Sequence, residues 1–206
     1  MQTDKIVVTS LGIGTEQALD ETARFSEYIG LNRKQALRIR LLAEEMLGMV
    51  QAITGEFGAD FWLENTEDCL CRMHLKARAL MDSAKRKELI DASTDKKNAA
   101  YKGFMGKIRE LIEKGTDCID EVGRYESEYG TTFLFENVGL VEGAGTVPLV
   151  WSMAEYKDRI DSGEVAEDKE AAWDELEKSI VANIADDVKV AVDGDKIEVI
   201  IEKKKF

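Results

Sequence analysis

Proline is almost missing: Pro148 stands alone in 206 residues, so no part of the chain reads as a polyproline or proline-rich linker segment. Histidine is as scarce, with His74 the single one, and the cysteines Cys69, Cys71 and Cys118 are odd in number. Cys69 and Cys71 stand two residues apart, which is not a usual zinc spacing, and one histidine cannot make up the set. Neither a metal centre nor a disulfide framework is expected; the cysteines read as buried free thiols. No stretch reaches the roughly 18 consecutive apolar residues of a membrane-spanning helix, and the N-terminal residues lack the basic-then-apolar layout of a secretory signal. The chain is therefore expected to be soluble and cytoplasmic, with no membrane contact. Positive charge is also short, since 28 Lys and Arg face 41 Asp and Glu for a net −13. A protein that tracks nucleic-acid phosphates needs a basic face, so no nucleic-acid partner is expected.

What the chain does have is one long helical pattern, LNRKQALRIRLLAEEMLGMVQAITG, with Asn32 as N-cap and Gly55 as its stop. Ile39, Leu42, Ala43, Met46, Met49, Val50 and Ile53 recur at the spacing of one helix face. Glu44 points nearly opposite that stripe, while Glu45 sits on its flank, one turn before Met49. A carboxylate at the edge of a core face is either a snorkelling surface charge or a residue that lines a site. The pattern predicts burial on the Leu42–Met46–Met49–Ile53 side, Glu44 exposed, and Glu45 at a cavity edge.

Before this helix, Lys5–Ser10 reads as a strand, Gly12 and Gly14 as a break, and Thr15 as the cap of a helix from Glu16 to about Ile29. That helix is expected to bury Leu19, Ala23, Phe25 and Ile29 and to end at Gly30. After it come two strands, 59–66 and 69–78, joined by the polar turn Asn65–Asp68. The second strand has an apolar and a polar face, and His74 falls on the polar one as a surface or hydrogen-bonded residue. Asp82–Ala92 reads as a short helix, Ser93–Asn98 as a polar loop, and Phe104, Ile108, Leu111 and Ile112 as a helix ending at Gly115. Gly103 and Gly106 open that helix between Lys102 and Lys107; such a loop can hold an anion on backbone N–H groups, though glycines near helix starts are common. Residues 116–165 are the least readable part. Within them LVWSMAEYKDRI suggests a short helix anchored by Trp151, and Gly143 and Gly145 form a lone GxG without the strand–turn–helix context of a phosphate loop. An acidic amphipathic helix is expected from Glu167 to Ile184, then a hairpin in which Val188, Val190, Val192 and Ile197, Val199, Ile201 alternate around Asp193-Gly194-Asp195.

Strand, helix, long helix, two strands, helices and a terminal hairpin predict an α+β fold, a two-layer α/β sandwich whose mixed, largely antiparallel sheet is covered on one face by helices. Residues 1–206 are read as one domain with an insertion at about 116–165. On the stretch SEYIGLNRKQALRIRLLAEEMLGMV the chain resembles the histidine-kinase-like ATP-binding domains (the GHKL superfamily), particularly the anti-sigma-factor serine kinase branch. In that family the long helix bears E-x-x-x-N. Glu45 matches the Glu, which activates a water or hydroxyl, and the resemblance makes it the candidate catalytic residue. The family's Asn, which holds the Mg²⁺ bridging the ATP phosphates, falls at Met49. A thioether cannot replace an amide oxygen as ligand of a hard cation, so tightly bound Mg²⁺ is not expected. The family's D-x-G-x-G is absent after the second central strand, where Asp82 lacks the glycines. Its glycine box is loosely matched by Lys102-Gly103-Phe104-Met105-Gly106-Lys107. The resemblance thus implies ATP or ADP as possible ligand, with Met49, Asn98, Lys102, Gly103, Gly106 and Lys107 at the nucleotide. It implies a regulatory domain with weak or no catalysis and a regulatory protein as possible partner. The alternative is a partner-interaction protein of the same fold that binds no nucleotide; a third is an unrelated α+β protein.

Overall fold

A computed structural model of the chain describes residues 1–54, 57–79, 149–163, 173, 176–177, 179–193 and 196–206. In order these give β1 (Ile6–Thr9), α1 (Thr15–Tyr28), α2 (Arg33–Thr54), β2 (Phe57–Glu64), β3 (Cys71–Ala79), β4 (Leu149–Ser152), α3 (Met153–Ser162), α4 (Ile180–Ile184), β5 (Asp187–Asp193) and β6 (Lys196–Lys203). The strands form one six-stranded sheet in the order β1-β2-β3-β6-β5-β4. Each of its pairings is antiparallel rather than mixed. The architecture is an α+β sandwich, and the terminal hairpin enters the sheet through β6, which pairs with β3.

Period-2 alternation divides the sheet's two faces. On the inner face Ile6 and Val8, Ala59, Phe61 and Leu63, Cys71, Met73, Leu75 and Ala77, Val188, Val190 and Val192, and Ile197, Val199 and Ile201 are buried in one core cluster. The helices close it. Ile39, Leu42, Ala43, Met46 and Met49 of α2 and Met153, Tyr156 and Ile160 of α3 belong to the same cluster. Val50 and Ile53 lie outside the described side chains. Full burial of a side chain such as Phe61 or Leu75 contributes about 1.5–3 kcal/mol each, and α2 packs on both β3 and β6 as well as on α1.

The caps explain where the chain turns. Asn32 Oδ1 accepts from the N–H groups of Lys34 and Gln35 at 3.0 and 3.1 Å, and Gln35 returns the bond to the Asn32 N–H, making a capping box at the start of α2. α1 ends at Gly30, whose φ of 76° is the left-handed conformation that closes a helix. Its start differs from expectation: Gly14, with φ 78°, is the N-cap, and Thr15 is already helical with no side-chain cap bond. The buried stripe of α1 also differs, running through Ala18, Thr22, Phe25 and Ser26, with Ala23 and Leu19 only half-buried. Thr22 and Ser26 can enter the core because their hydroxyls donate to the carbonyls of Ala18 and Thr22 at 2.7 and 2.8 Å.

Two corrections concern the C-terminal half. Trp151, expected in a helix, lies on β4 at the sheet edge opposite Val190; the helix begins only after Ser152, whose hydroxyl accepts from the Glu155 N–H. Thus 149–163, assigned to an insertion, contribute a strand to the common sheet and a helix to its core. The acidic helix expected to run unbroken to Ile184 is interrupted at Ser179, which adopts extended backbone and N-caps a separate short helix, α4. The two caps share one cause: a serine hydroxyl satisfies a backbone donor that a continuing helix would have satisfied itself. The helices placed at Asp82–Ala92 and before Gly115, the strand TTFLFENVGLV and the turn at Gly194 lie outside the described residues.

Candidate functional site

The long helix α2 presents its two adjacent glutamates as its periodicity requires. Glu44 is exposed and pairs with Arg40 one turn earlier at 3.1 Å, a contact worth about 0.2–0.5 kcal/mol at most for an exposed i,i+4 pair. Glu45 is half-buried. Met49, one turn on, is 3% exposed and part of the core cluster. The position at which the resemblance puts a metal ligand therefore faces apolar packing. Among the described residues no group of three or more His, Cys, Asp or Glu is placed to hold a metal ion. Asn98, Lys102, Gly103, Gly106 and Lys107 lie outside the described residues.

An open cleft of about 550 Å³ lies beside α2, over the end of β1. Its floor is Val8–Gly12, and its walls are Thr15 and Leu19 of α1 and Glu44, Leu47 and Gly48 of α2. The glutamate at this cleft is Glu44; Glu45, expected at a cavity edge, does not line it. The volume falls in the range of small-molecule sites. The β1–α1 turn forms one wall through bonds from the Thr9 N–H to the Ile13 carbonyl and from the Gly12 N–H to the Thr9 carbonyl. This turn displays Leu11 and Ile13 to solvent, 86% and 65% exposed.

The outer face of the sheet carries a second cluster that sequence reasoning passed over. The polar face of β3 was legible, but its neighbours come from β2 and β6, so only the strand order assembles them. Arg72 donates to Glu202 at 2.9 Å and to Glu64 at 3.3 Å. Burial alone would push the Arg72 guanidinium down, but the charge and hydrogen bond of Glu202 hold it above its ordinary value. Lys189 reaches Glu202 at 3.2 Å and Asp187 at 3.9 Å. His74 stacks on Trp62 with ring centroids 4.5 Å apart and planes 5° from parallel, and Lys5 stands over the same indole at 4.7 Å. Glu198 and Glu202 are 4% and 5% exposed, unusual burial for carboxylates on a face away from the core.

The remaining polar features serve the fold. Asp187 accepts from the Ser152 hydroxyl, the Ala154 N–H and the Val188 N–H, so one carboxylate ties β5 to the start of α3. Cys69 and Cys71 are free and buried; burial pushes both thiols up, the neighbouring Glu202 adding to this for Cys69 and Cys69 for Cys71. No helix among the described residues is long and apolar enough to cross a membrane. Compared with known proteins, the chain matches no family model, no curated protein and no solved structure.

Proposed function

We propose that this chain is a cytoplasmic regulatory domain of the histidine-kinase-like ATP-binding type, whose α2 helix offers Glu45 to an adenine nucleotide that is bound weakly and not turned over. The observation that carries the reading is the frame around Glu45. A strand and helix lead into a long helix bearing a half-buried glutamate, two antiparallel central strands follow, and the closing hairpin lies against the second of them through β6. Catalysis is left out because phosphoryl transfer relies on positioning and on metal charge across the phosphates, and Met49 occupies the matching ligand position from within the core. A base without a clamped phosphate contributes little. The free thiols of Cys69 and Cys71 support a reducing compartment.

The test is titration calorimetry of the full chain with ATP and ADP, with and without Mg²⁺, beside a phosphate-release assay run over hours on the protein and on Glu45→Ala. Weak binding of both nucleotides, little changed by Mg²⁺ and without phosphate release, is the expected result. Robust turnover that vanishes in Glu45→Ala would overturn it. A specific feature favours a second reading, a partner-interaction protein on the same fold: Leu11, which lines the cleft, and Ile13, two residues on in the same turn, stand exposed, and large exposed apolar side chains carry a desolvation benefit on contact with another protein. No heat with either nucleotide would select that reading.

A further inference from the structure

The outer-face cluster holds three buried polar atoms without a hydrogen-bond partner among the described residues: Nδ1 and Nε2 of His74 and Oε2 of Glu198. They lie together. Nε2 is 3.5 Å from Glu64 Oε2 and Nδ1 is 3.8 Å from Glu198 Oε1, near enough for attraction yet not aligned as hydrogen bonds. A neutral imidazole has one donor and one acceptor, so between two carboxylates, which only accept, it satisfies one side and opposes the other. An imidazolium has two donors on opposite edges of the ring and matches both. The Glu198 side chain is 5% exposed, and its nearest cation among the described residues is Lys76 at 4.0 Å; a carboxylate oxygen so placed is costly to bury without a hydrogen bond.

We propose that Trp62, His74, Glu64 and Glu198 form a proton-operated latch on the outer face of the sheet. When His74 takes a proton from solvent, Nε2–H donates to Glu64 and Nδ1–H to Glu198. β2, β3 and β6, which are neighbours in that order, are then tied together across the ring. Contraction of each contact by roughly 0.6–1.1 Å brings it to the 2.7–2.9 Å of a charge-assisted bond, within the reach of a side-chain adjustment. Trp62 holds the ring flat on one side and fixes which edges meet the acids. The other charged groups around the ring are spoken for or stand apart. Arg72 is held by Glu202 and Glu64, Lys189 by Glu202 and Asp187, and Lys5 by the indole of Trp62. Lys76 is the competitor for Glu198, and Asp60 stands beside it in register on β2. This latch is independent of any nucleotide at α2.

Because His74 is the only histidine, ¹⁵N-histidine labelling of the full chain yields one imidazole spectrum, followed from about pH 8 to about pH 5, the interval in which histidine changes charge in proteins. Acidification is expected to bring up two ring N–H signals that exchange slowly with solvent. Glu198→Gln is expected to lose protection at Nδ1–H only, and Glu64→Gln at Nε2–H only. Trp62 emission is expected to be quenched over the same interval, as an imidazolium stacked on indole quenches it, and His74→Gln to remove that component while Trp151 and Trp173 supply the constant background. Ring N–H groups that exchange freely at every pH would overturn the latch. So would a tryptophan pH profile unchanged in His74→Gln, or protected signals indifferent to both glutamate variants in folded protein.

Discussion

Among the described glycines, the one pressed closest by other backbone is Gly14. A Cβ built there would lie 2.0 Å from the Val7 carbonyl oxygen and 3.0 Å from the Val7 carbonyl carbon. Gly12, two residues earlier in the same turn, also has a positive φ, 85° against 78°, but a Cβ there meets nothing within 4 Å. The two glycines thus separate conformational strain from steric exclusion. Gly12→Ala carries only the left-handed strain, about 1–2 kcal/mol. Gly14→Ala carries the same strain plus an overlap with backbone, which no rotamer change relieves. Val7 lies between Ile6 and Val8, which are paired with Phe61 and Ala59 of β2. Displacing its carbonyl therefore loosens at least two ladder bonds at about 1 kcal/mol each, for a total of roughly 3–4 kcal/mol. In a chain of this length 1 kcal/mol moves Tm by about 2–4 °C. Thermal unfolding followed by circular dichroism should give a drop for Gly14→Ala at least twice that for Gly12→Ala. Equal drops would mean that the turn does not press on β1 and that its geometry is set by φ alone.

Met46 is fully buried in the core, so Met46→Ala should cost about 2–5 kcal/mol in denaturant unfolding; an unchanged midpoint would remove α2 from its central place. Met49→Asn, which restores the residue type of the resembled family, should not restore Mg²⁺-dependent binding and should cost about 1–3 kcal/mol by placing an amide in the core; calorimetric gain of Mg²⁺ dependence would refute the placement of this side chain. The Thr9 hydroxyl is buried without a hydrogen-bond partner among the described residues, so Thr9→Val should be neutral or stabilising by up to about 1 kcal/mol; a clear loss of Tm would reveal a bond to that oxygen. In a Cys118→Ser background, Cys69 and Cys71 should resist a thiol reagent at mildly alkaline pH until the chain unfolds, because burial holds both thiols in the protonated, unreactive form; rapid labelling of folded protein would contradict their burial.

The elements most legible in the sequence are those whose partner surface is uniform. The hairpin of β5 and β6 alternates Val188, Val190, Val192 with Ile197, Val199, Ile201 because all six meet the same helical layer, and α2 shows its stripe for the same reason. Where the partner is not uniform, reading fails. α1 buries Thr22 and Ser26, polar by composition, because their hydroxyls are satisfied within the helix itself. The breaks before Met153 and Ile180 depend on single serine hydroxyls, and serine within an amphipathic pattern is ambiguous until its bond is seen. As for the site, the helix carrying Glu45 was legible, as was the exposure of Glu44. The burial of Met49 was predicted from its place on the stripe, while its consequence for a metal came from the resemblance. The cluster around His74 was not legible, because Glu64, His74 and Glu198 are brought together by pairing β3 with β2 on one side and β6 on the other.

That pairing also places the two candidate features on opposite faces of one strand. Met73 and Leu75 of β3 point into the core shared with α2, while His74 and Arg72 point outward to Glu198, Glu64 and Glu202. Alternation makes this separation strict: a shift of β3 by one residue would put the imidazole into the core and Met73 among the carboxylates. The register is therefore held by both faces at once, by apolar burial on one and by charge pairing on the other. It follows that His74→Gln and Met46→Ala should act on different observables. The first should abolish the pH response of Trp62, because it removes the ring that stacks on that indole. The second should lower Tm and leave that response in the folded protein intact. Nucleotide titration of His74→Gln gives a third, independent comparison, since the outer face has no described contact with Glu45. If His74→Gln abolished nucleotide binding while the chain stayed folded, the ligand would have to be sought on the outer face, beside Trp62, and not at α2.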